Sequence, residues 1–362
     1  MGESAFLRIF RFVMALFTFF TALLSILVFT GANYGNSFQI FALYGLFQPL
    51  LIILNILFLF YWSIRLKIWA LLPLIALILN IGFITSVYQF PKRTNRAKNT
   101  EGSHIRIGTY NVKGFYHGQR PLTVSLISDF MREKKVNILC LQELDSDSVY
   151  TVDSIAKAFS FLPYTTLAQS EIPGFNLMIL SKYPSVNARK IRFGHSGNQA
   201  MWVDLLINKD TVRIFNFHLQ TTNFNQARFP LIPENWLWDL SGEAEKSKTV
   251  YDILQMNFKK RTIQADFIHS KIAATKYPTL VCGDMNSNPA SHTYHQIKGH
   301  LHDGFKTSGS GYEYTLTGLY RLYRIDYIFH SDHFKGSKYK SYLLDYSDHK
   351  PVIMELSLNK AR

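Results

Sequence analysis

The stretch LVCGDMNSNPAS, residues 280–291, decides how the rest of the chain is read. Leu280-Val281-Cys282 has the composition of a buried strand, and Gly283 cuts it off, giving the backbone room to turn sharply. Asp284 and Asn286 follow two apart, so both side chains reach the same small volume above the strand end. Alone, an Asp and an Asn there shape a turn. The stretch gains meaning because the pattern recurs along the chain.

IRIGTYNV (105–112) is a strand pattern that ends on Asn111, and NILCLQE (137–143) ends on Glu143. FNLMILSKYP (175–184) and MWVDLLIN (201–208) are two more apolar runs. TVRIFNFHL (211–219) delivers His218, and YRIDYIF (323–329) carries Asp326. YSDHKPVIMELSL (346–358) places Asp348 and His349 just before a last strand. Helical spacing appears at Val124–Glu133, Ile155–Phe159 and Val250–Ala274. Many strands with few interleaved helices fit a two-sheet sandwich with helices outside. Cys140 and Cys282 both sit in apolar runs and read as small buried hydrophobes. No repeat of 20–50 residues is visible.

Each strand end has a plain reading by itself: a turn, a cap before Pro351, a core histidine. Together they place carboxylates, carboxamides and imidazoles at the ends of several strands. Such groups are costly to bury unless paired or coordinated. Oxygen donors without a cysteine set suit a hard cation. His292, His295, His300 and His302 cluster after this stretch, but no carboxylate or cysteine spacing makes them a second metal site.

The front of the chain differs. No charged residue lies between Arg11 and Arg65, nor between Lys67 and Lys92. A bilayer core of about 30 Å needs roughly 20 apolar residues in a helix. Residues 12–30, 38–64 and 68–88 are therefore expected to be three transmembrane helices in a multi-pass cell-membrane protein. Asn55 and Asn80 lie mid-span and are expected to serve contacts between helices. A cleaved signal peptide fits poorly, since two more spans follow. Four basic residues flank each side of the spans. The weight of the first helix favours an extracytoplasmic body. Residues 91–103 (PKRTNRAKNTEGS) read as a linker, and 104–362 as the catalytic body. Residues 1–99 hold eight Lys/Arg and one acid, the remainder 31 basic and 24 acidic, so each part carries +7 of the net +14. Over 263 residues that surplus is mild and does not demand a nucleic-acid groove.

The ordered set TYN, QELD, ILSKYP, FNFHL, GDMN, RIDYIF and SDHKP resembles the endonuclease/exonuclease/phosphatase (DNase I-like) superfamily over residues 104–358. The resemblance implies an α+β fold, a four-layer αββα sandwich with a Mg²⁺ site at one edge, Mn²⁺ being the alternative ion. It implies that Asn111, Glu143 and Asp348 hold or position the metal, with Glu143 the surest ligand. Asp284 would orient or deprotonate the attacking water, with Asn286 beside it on the phosphate. His218 and His349 would contact phosphoryl oxygens, Asp326 would pair with His349, and Arg261 would bind phosphate. Phosphoester hydrolysis needs such positioning and electrostatics.

The match departs from its relatives in places. Asn111-Val112-Lys113-Gly114 has Lys where abasic-site endonucleases carry Asp. Arg324-Ile325-Asp326 lacks the Cys of inositol phosphatases. The expected activity is a membrane-anchored phosphoesterase acting on a lipid head group, a nucleic acid or a small phosphoester, with the bilayer as a partner and no protein partner. An anchored nuclease and a non-catalytic binding module on the same fold are the rivals. The long segment 222–249, with Trp236 and Trp238, is expected to cover the site or touch the membrane.

Overall fold

The computed structural model describes residues 5–31, 44–91, 103–115, 120–146, 150–194, 196–222 and 240–359. The chain forms two compact units: Met1–Ser86 with Asn223–Lys259 and Asn288–His295, and Val87–Thr222 with Lys260–Ser287 and Gln296–Arg362. Most of the expected linker, and residues 223–239 of the long segment, lie outside the described residues.

In the first unit the apolar N-terminal sequence forms α1 (Ala5–Gly31), α2 (Gln48–Ile64), α3 (Leu71–Leu79) and, from Ile81, α4 (Ile81–Val87). Pro49 sits in the first turn of α2, where its missing N–H costs no helical hydrogen bond. Ala5–Gly31 and Gly45–Ile64 are each long and apolar enough to cross a membrane. The third expected span is instead bent by 62° between α3 and α4. Asn80 sits at the bend. Its Nδ2 donates back to Ala76 O (2.8 Å) and across to Ser25 Oγ on α1 (3.1 Å), and its Oδ1 accepts from Gln48 Nε2 on α2. Asn80 thus joins three helices, whereas Asn55 turns back onto Leu51 O of its own helix. Trp62 Nε1 donates to Thr18 Oγ1, a second polar tie between α2 and α1. The start of the 288–295 segment is fixed within this unit, Asn288 Nδ2 donating to Gly45 O (2.7 Å). His295 packs edge-on to Phe29.

The second unit is built on two six-stranded sheets. One holds β10 (His302–Asp303), β12 (Asp326–His330), β9 (Thr279–Asp284), β8 (Asp210–His218), β7 (Gln199–Ile207) and β6 (Ser185–Arg192), in that order. The other holds β13 (Phe334–Ser341), β14 (Val352–Leu358), β2 (Ser103–Asn111), β3 (Ile138–Leu144), β5 (Asn176–Ser181) and β4 (Tyr164–Ala168). β1 (Tyr88–Gln89) and β11 (Gly311–Tyr312) pair separately. The two sheets contain two parallel pairs, β2 with β3 and β8 with β9. Parallel neighbours need a crossover. Helix α5 (Arg120–Glu133) lies in the first crossover and α7 (Leu240–Ala273) in the second.

Between the sheets pack Ile105, Ile107, Ile138, Cys140 and Ile179 from one and Met201, Val203, Ile214, Leu280, Cys282 and Ile328 from the other. Outside the second sheet, Val124, Ile127 and Met131 of α5 and Ile155 of α6 (Val152–Ala158) cover Leu139, Leu141, Met178 and Leu180. The arrangement is the expected αββα sandwich.

Side chains alternate across a strand. The parity that points Ile105 and Ile107 inward therefore also points Asn111 inward. Likewise Ile214 implies His218, Cys282 implies Asp284, and Ile328 implies Asp326. Register completes the set: on three neighbouring strands His218 pairs with Asp284, and Asp284 with Asp326. One end of the intersheet core is therefore polar.

Gly283 holds φ +150°, and a Cβ there would lie 2.3 Å from Phe217 O. We expect Gly283→Ala to destabilise the fold by about 2 kcal/mol or more, through strain and collision together. Chemical denaturation of the detergent-solubilised chain, followed by far-ultraviolet circular dichroism, measures this. An unchanged midpoint would mean that the turn relaxes freely.

Candidate active site

Asp284 is the centre of the polar end and is almost fully buried. Its Oδ1 accepts the Asn286 backbone N–H (2.7 Å), and its Oδ2 accepts Asn111 Nδ2 (3.0 Å). The same Asn111 nitrogen donates to Glu143 Oε1 (2.9 Å), so one carboxamide bridges two carboxylates carried by different sheets. Asn286 takes a left-handed φ of +48°, and its Nδ2 donates to Leu219 O (3.0 Å). In this structure Asn286 shapes the turn that carries Asp284.

Glu143 reaches the site by a different device. Strand parity turns Gln142 inward and should turn Glu143 outward. Glu143 instead adopts φ +51°, within the register shift between Leu141 and Leu144 of β3. That irregularity re-aims its side chain, a common use of a bulge beside a site.

Two histidines flank the carboxylates. His218 Nε2 lies 3.2 Å from Glu143 Oε1 and 3.7 Å from Asp284 Oδ2, yet it makes no well-formed hydrogen bond. Its ring stacks on Phe175, and its Nδ1 lies 3.4 Å from Asn198 Nδ2. His349 Nδ1 is bonded to Asp326 Oδ2 at 2.9 Å, as expected, and its Nε2 lies 3.8 Å from Asp284 Oδ2. Ser347 fastens this loop to β2, its Oγ donating to Asn111 O (2.8 Å) and accepting the His349 N–H.

The remaining expected residues are placed as follows. Asp348 lies at the rim, where its Oδ2 pairs with Lys113 Nζ. Arg261 is fully buried rather than solvated. Its guanidinium donates to Gln220 O, Thr222 Oγ1 and Ser287 Oγ at 2.7–3.0 Å, tying the ends of β8 and β9 together. Beneath the site lies a buried network that the strand-end pattern did not flag. Gln142 Nε2 donates to Asn216 Oδ1 (2.7 Å) and Thr109 Oγ1 (3.0 Å), and Asn216 Nδ2 donates to Leu141 O and Met178 O. Extending the inward parity of β3 and β8 would have found both residues.

The electrostatics follow from burial. Desolvation, aided by the Asp326 charge, pushes Asp284 up to about 6 despite both histidines. Burial alone would lower His349, but Asp326 and Asp284 outweigh it and raise it to about 10. Burial lowers Arg261 to about 9. At neutral pH His349 is thus an imidazolium, a donor rather than a base.

Among the described residues, two groups have ligand atoms all within 4.8 Å of one another: Glu143, His218 and Asp284; and Asp284, Asp326 and His349. The first fits a divalent cation. It is open on the Glu143 side, offers two carboxylates and contains the orphaned His218 Nε2. A cation there would also offset the charge that raises Asp284.

The sequence pattern of the endonuclease/exonuclease/phosphatase family matches residues 108–349, and a domain of unknown function matches residues 7–87. No curated protein matches the chain. Among solved structures, an endonuclease/exonuclease/phosphatase from Beutenbergia cavernae is similar at 18% identity and a TM-score of 0.53, over 71% of this chain and 72% of that one. Truncated TDP2 of Caenorhabditis elegans is similar at 14% identity and 0.52, over 70% and 98%. The human Nocturnin catalytic domain, solved with a bound sulfate anion, is similar at 17% and 0.51, over 74% and 100%. At these identities the likeness concerns the fold.

Two of the perturbed groups, His349 and Asp284, act in the same direction on stability between acid and neutral-to-alkaline pH. His349 favours the folded state fully below its unfolded value of about 6.5, and that contribution is lost as pH rises towards 10. Asp284 favours it only at acid pH, and this is lost as pH rises through about 6. The metal-free protein should therefore lose stability from about pH 4 to 10, and Asp326→Asn should flatten the upper part of that fall. Denaturation midpoints across the range measure it, and an unaltered profile in the variant would contradict the assignment.

Proposed function

The chain belongs to the endonuclease/exonuclease/phosphatase family and is a phosphoester hydrolase; on that premise we propose that it is membrane-anchored and Mg²⁺-dependent and acts on a phosphodiester or phosphomonoester. The observation that carries the catalytic reading is the convergence of Glu143, Asp284, His218, Asp326 and His349 on one end of the sandwich, with Asn111 bridging the two carboxylates. A non-catalytic module would not keep the buried Asp284 carboxylate beside the second carboxylate of Glu143, since burying charge costs free energy without a partner.

Glu143 would hold the ion, with Asn111 fixing its carboxylate and His218 at its side. When bound, Mg²⁺ supplies Lewis-acid stabilisation of the phosphoryl oxygens. Asp284, a buried carboxylate at the centre of the site, accepts the proton of the attacking water. The His349 imidazolium donates its Nδ1–H to Asp326, which leaves the proton on Nε2 free to face the substrate. It donates from Nε2 to the charge that develops on the phosphate, and Asp326 fixes its orientation. Arg261 adds a fixed positive charge beneath Asp284 and acts by positioning the turn.

The anchoring reading rests on the two long apolar helices and the bent pair. An active site on a chain held at a bilayer favours substrates that reside there, so a phosphodiester lipid head group is the first substrate class to test. The mild charge of the body supports this over a nucleic-acid groove.

The test is a substrate panel of sphingomyelin, plasmid DNA, inositol phosphates and a bis-aryl phosphate, run with Mg²⁺ and with EDTA. Activity should vanish with EDTA and return with Mg²⁺. Glu143→Ala and Asp284→Asn should each lose about 10²–10⁴-fold in kcat. Full activity in EDTA or in Glu143→Ala would overturn the reading.

A further inference from the structure

Lys113 stands two residues after Asn111, within the match to the family, and the mechanism above does not use it. Its position is not that of a drifting surface lysine. Its backbone N–H donates to Asn111 Oδ1 (3.1 Å), the same carboxamide that bridges Glu143 and Asp284. Lys113, Gly114 and Phe115 hold consecutive left-handed φ values of +45°, +66° and +60°. For Lys and Phe such conformations are strained and persist where surrounding contacts enforce them. Phe115 is fully buried and its N–H donates to Val112 O, which holds the turn. The turn brings Lys113 Nζ onto Asp348 Oδ2 with the lysine side chain still 45% exposed.

Charges can then be assigned pair by pair. His349 answers Asp326 at 2.9 Å, and Lys113 answers Asp348. Glu143 and Asp284 share only the neutral Asn111 carboxamide and the orphaned His218 nitrogen, which is the pair a single divalent ion would neutralise. Without Lys113, the half-exposed Asp348 carboxylate at the rim would be a further oxygen ligand facing an anionic site. Such a carboxylate recruits a hard cation once a second carboxylate stands beside it.

We propose that the Lys113 ammonium takes the place of a second divalent ion at Asp348, so that the site holds one metal ion and meets the substrate phosphate with a fixed lysine charge on its other side. This inference rests on the metal site proposed above. An ammonium differs from a divalent ion in consequence: it cannot be chelated away, and it offers N–H donors to a non-bridging oxygen rather than Lewis acidity.

The test counts ions on the full-length chain in detergent, by Mn²⁺ titration read by electron paramagnetic resonance, with circular dichroism to confirm folding. Wild type should bind one Mn²⁺. Lys113→Asp should bind two, and the second should be lost in Lys113→Asp combined with Asp348→Asn. Lys113→Met should keep one ion, while KM for a bis-aryl phosphate rises about tenfold or more, the magnitude of one lost charge-assisted contact. Two ions in wild type, or one ion in Lys113→Asp, would overturn the proposal and leave the parent reading standing. No Mn²⁺ in wild type would overturn both. The ion count separates this role from a structural one, because merely loosening the rim does not create a ligand set.

Discussion

The burial of one carboxylate organises the catalytic end of this molecule. Asp284 has almost no contact with water, yet it sits on a strand whose other inward residues are Leu280 and Cys282. A charge there is tolerable only where donors and cations converge on it. Asn111 supplies one N–H from the opposite sheet, the turn at Asn286 supplies another, and two imidazoles approach from either side. The compensation is incomplete, which is why Asp284 remains raised. That incompleteness is the physical signature of a site with room for a cation.

The fold makes this convergence nearly automatic. Two parallel pairs, each with a helix in its crossover, bring four strand ends to the same edge. Alternation along β2, β8, β9 and β12 then sets which side chains point between the sheets. The same parity lays down the apolar core and, a few residues on, the polar cluster. Only Glu143 needs a departure from parity, and the left-handed residue at that position provides it. Below the cluster, Gln142 and Asn216 close the seam with hydrogen bonds, so the polar end is braced from within.

Much of this was legible in the sequence because the informative strands are central. β2, β3, β5, β7, β8, β9, β12 and β14 read as apolar runs since both of their faces are covered. β4, β6 and β13 were not read as strands. They are edge strands, and β6, with Arg189, Lys190 and Arg192, is exposed along nearly its whole length. Edge strands carry such charges against unwanted pairing, which erases the period-two signal. The long helix began ten residues before its apolar spacing did, and α5 four residues before. The third apolar stretch was legible by its length, but its bend was not, because one Asn reaching two neighbouring helices leaves no mark on hydropathy. In the site, strand-end carboxylates and imidazoles were visible as a pattern. The pairing of Lys113 with Asp348 was not, since 235 residues of sequence separate them.

The central claim is that these groups hold one divalent ion, and the most direct measurement locates it. Anomalous diffraction from crystals of the full chain soaked in Mn²⁺ should show a single peak about 2 Å from a Glu143 carboxylate oxygen, on the side facing Asp284 and His218. A peak confined to Asp348 or to the surface histidines, or no peak within ligand distance of Glu143, would contradict the account.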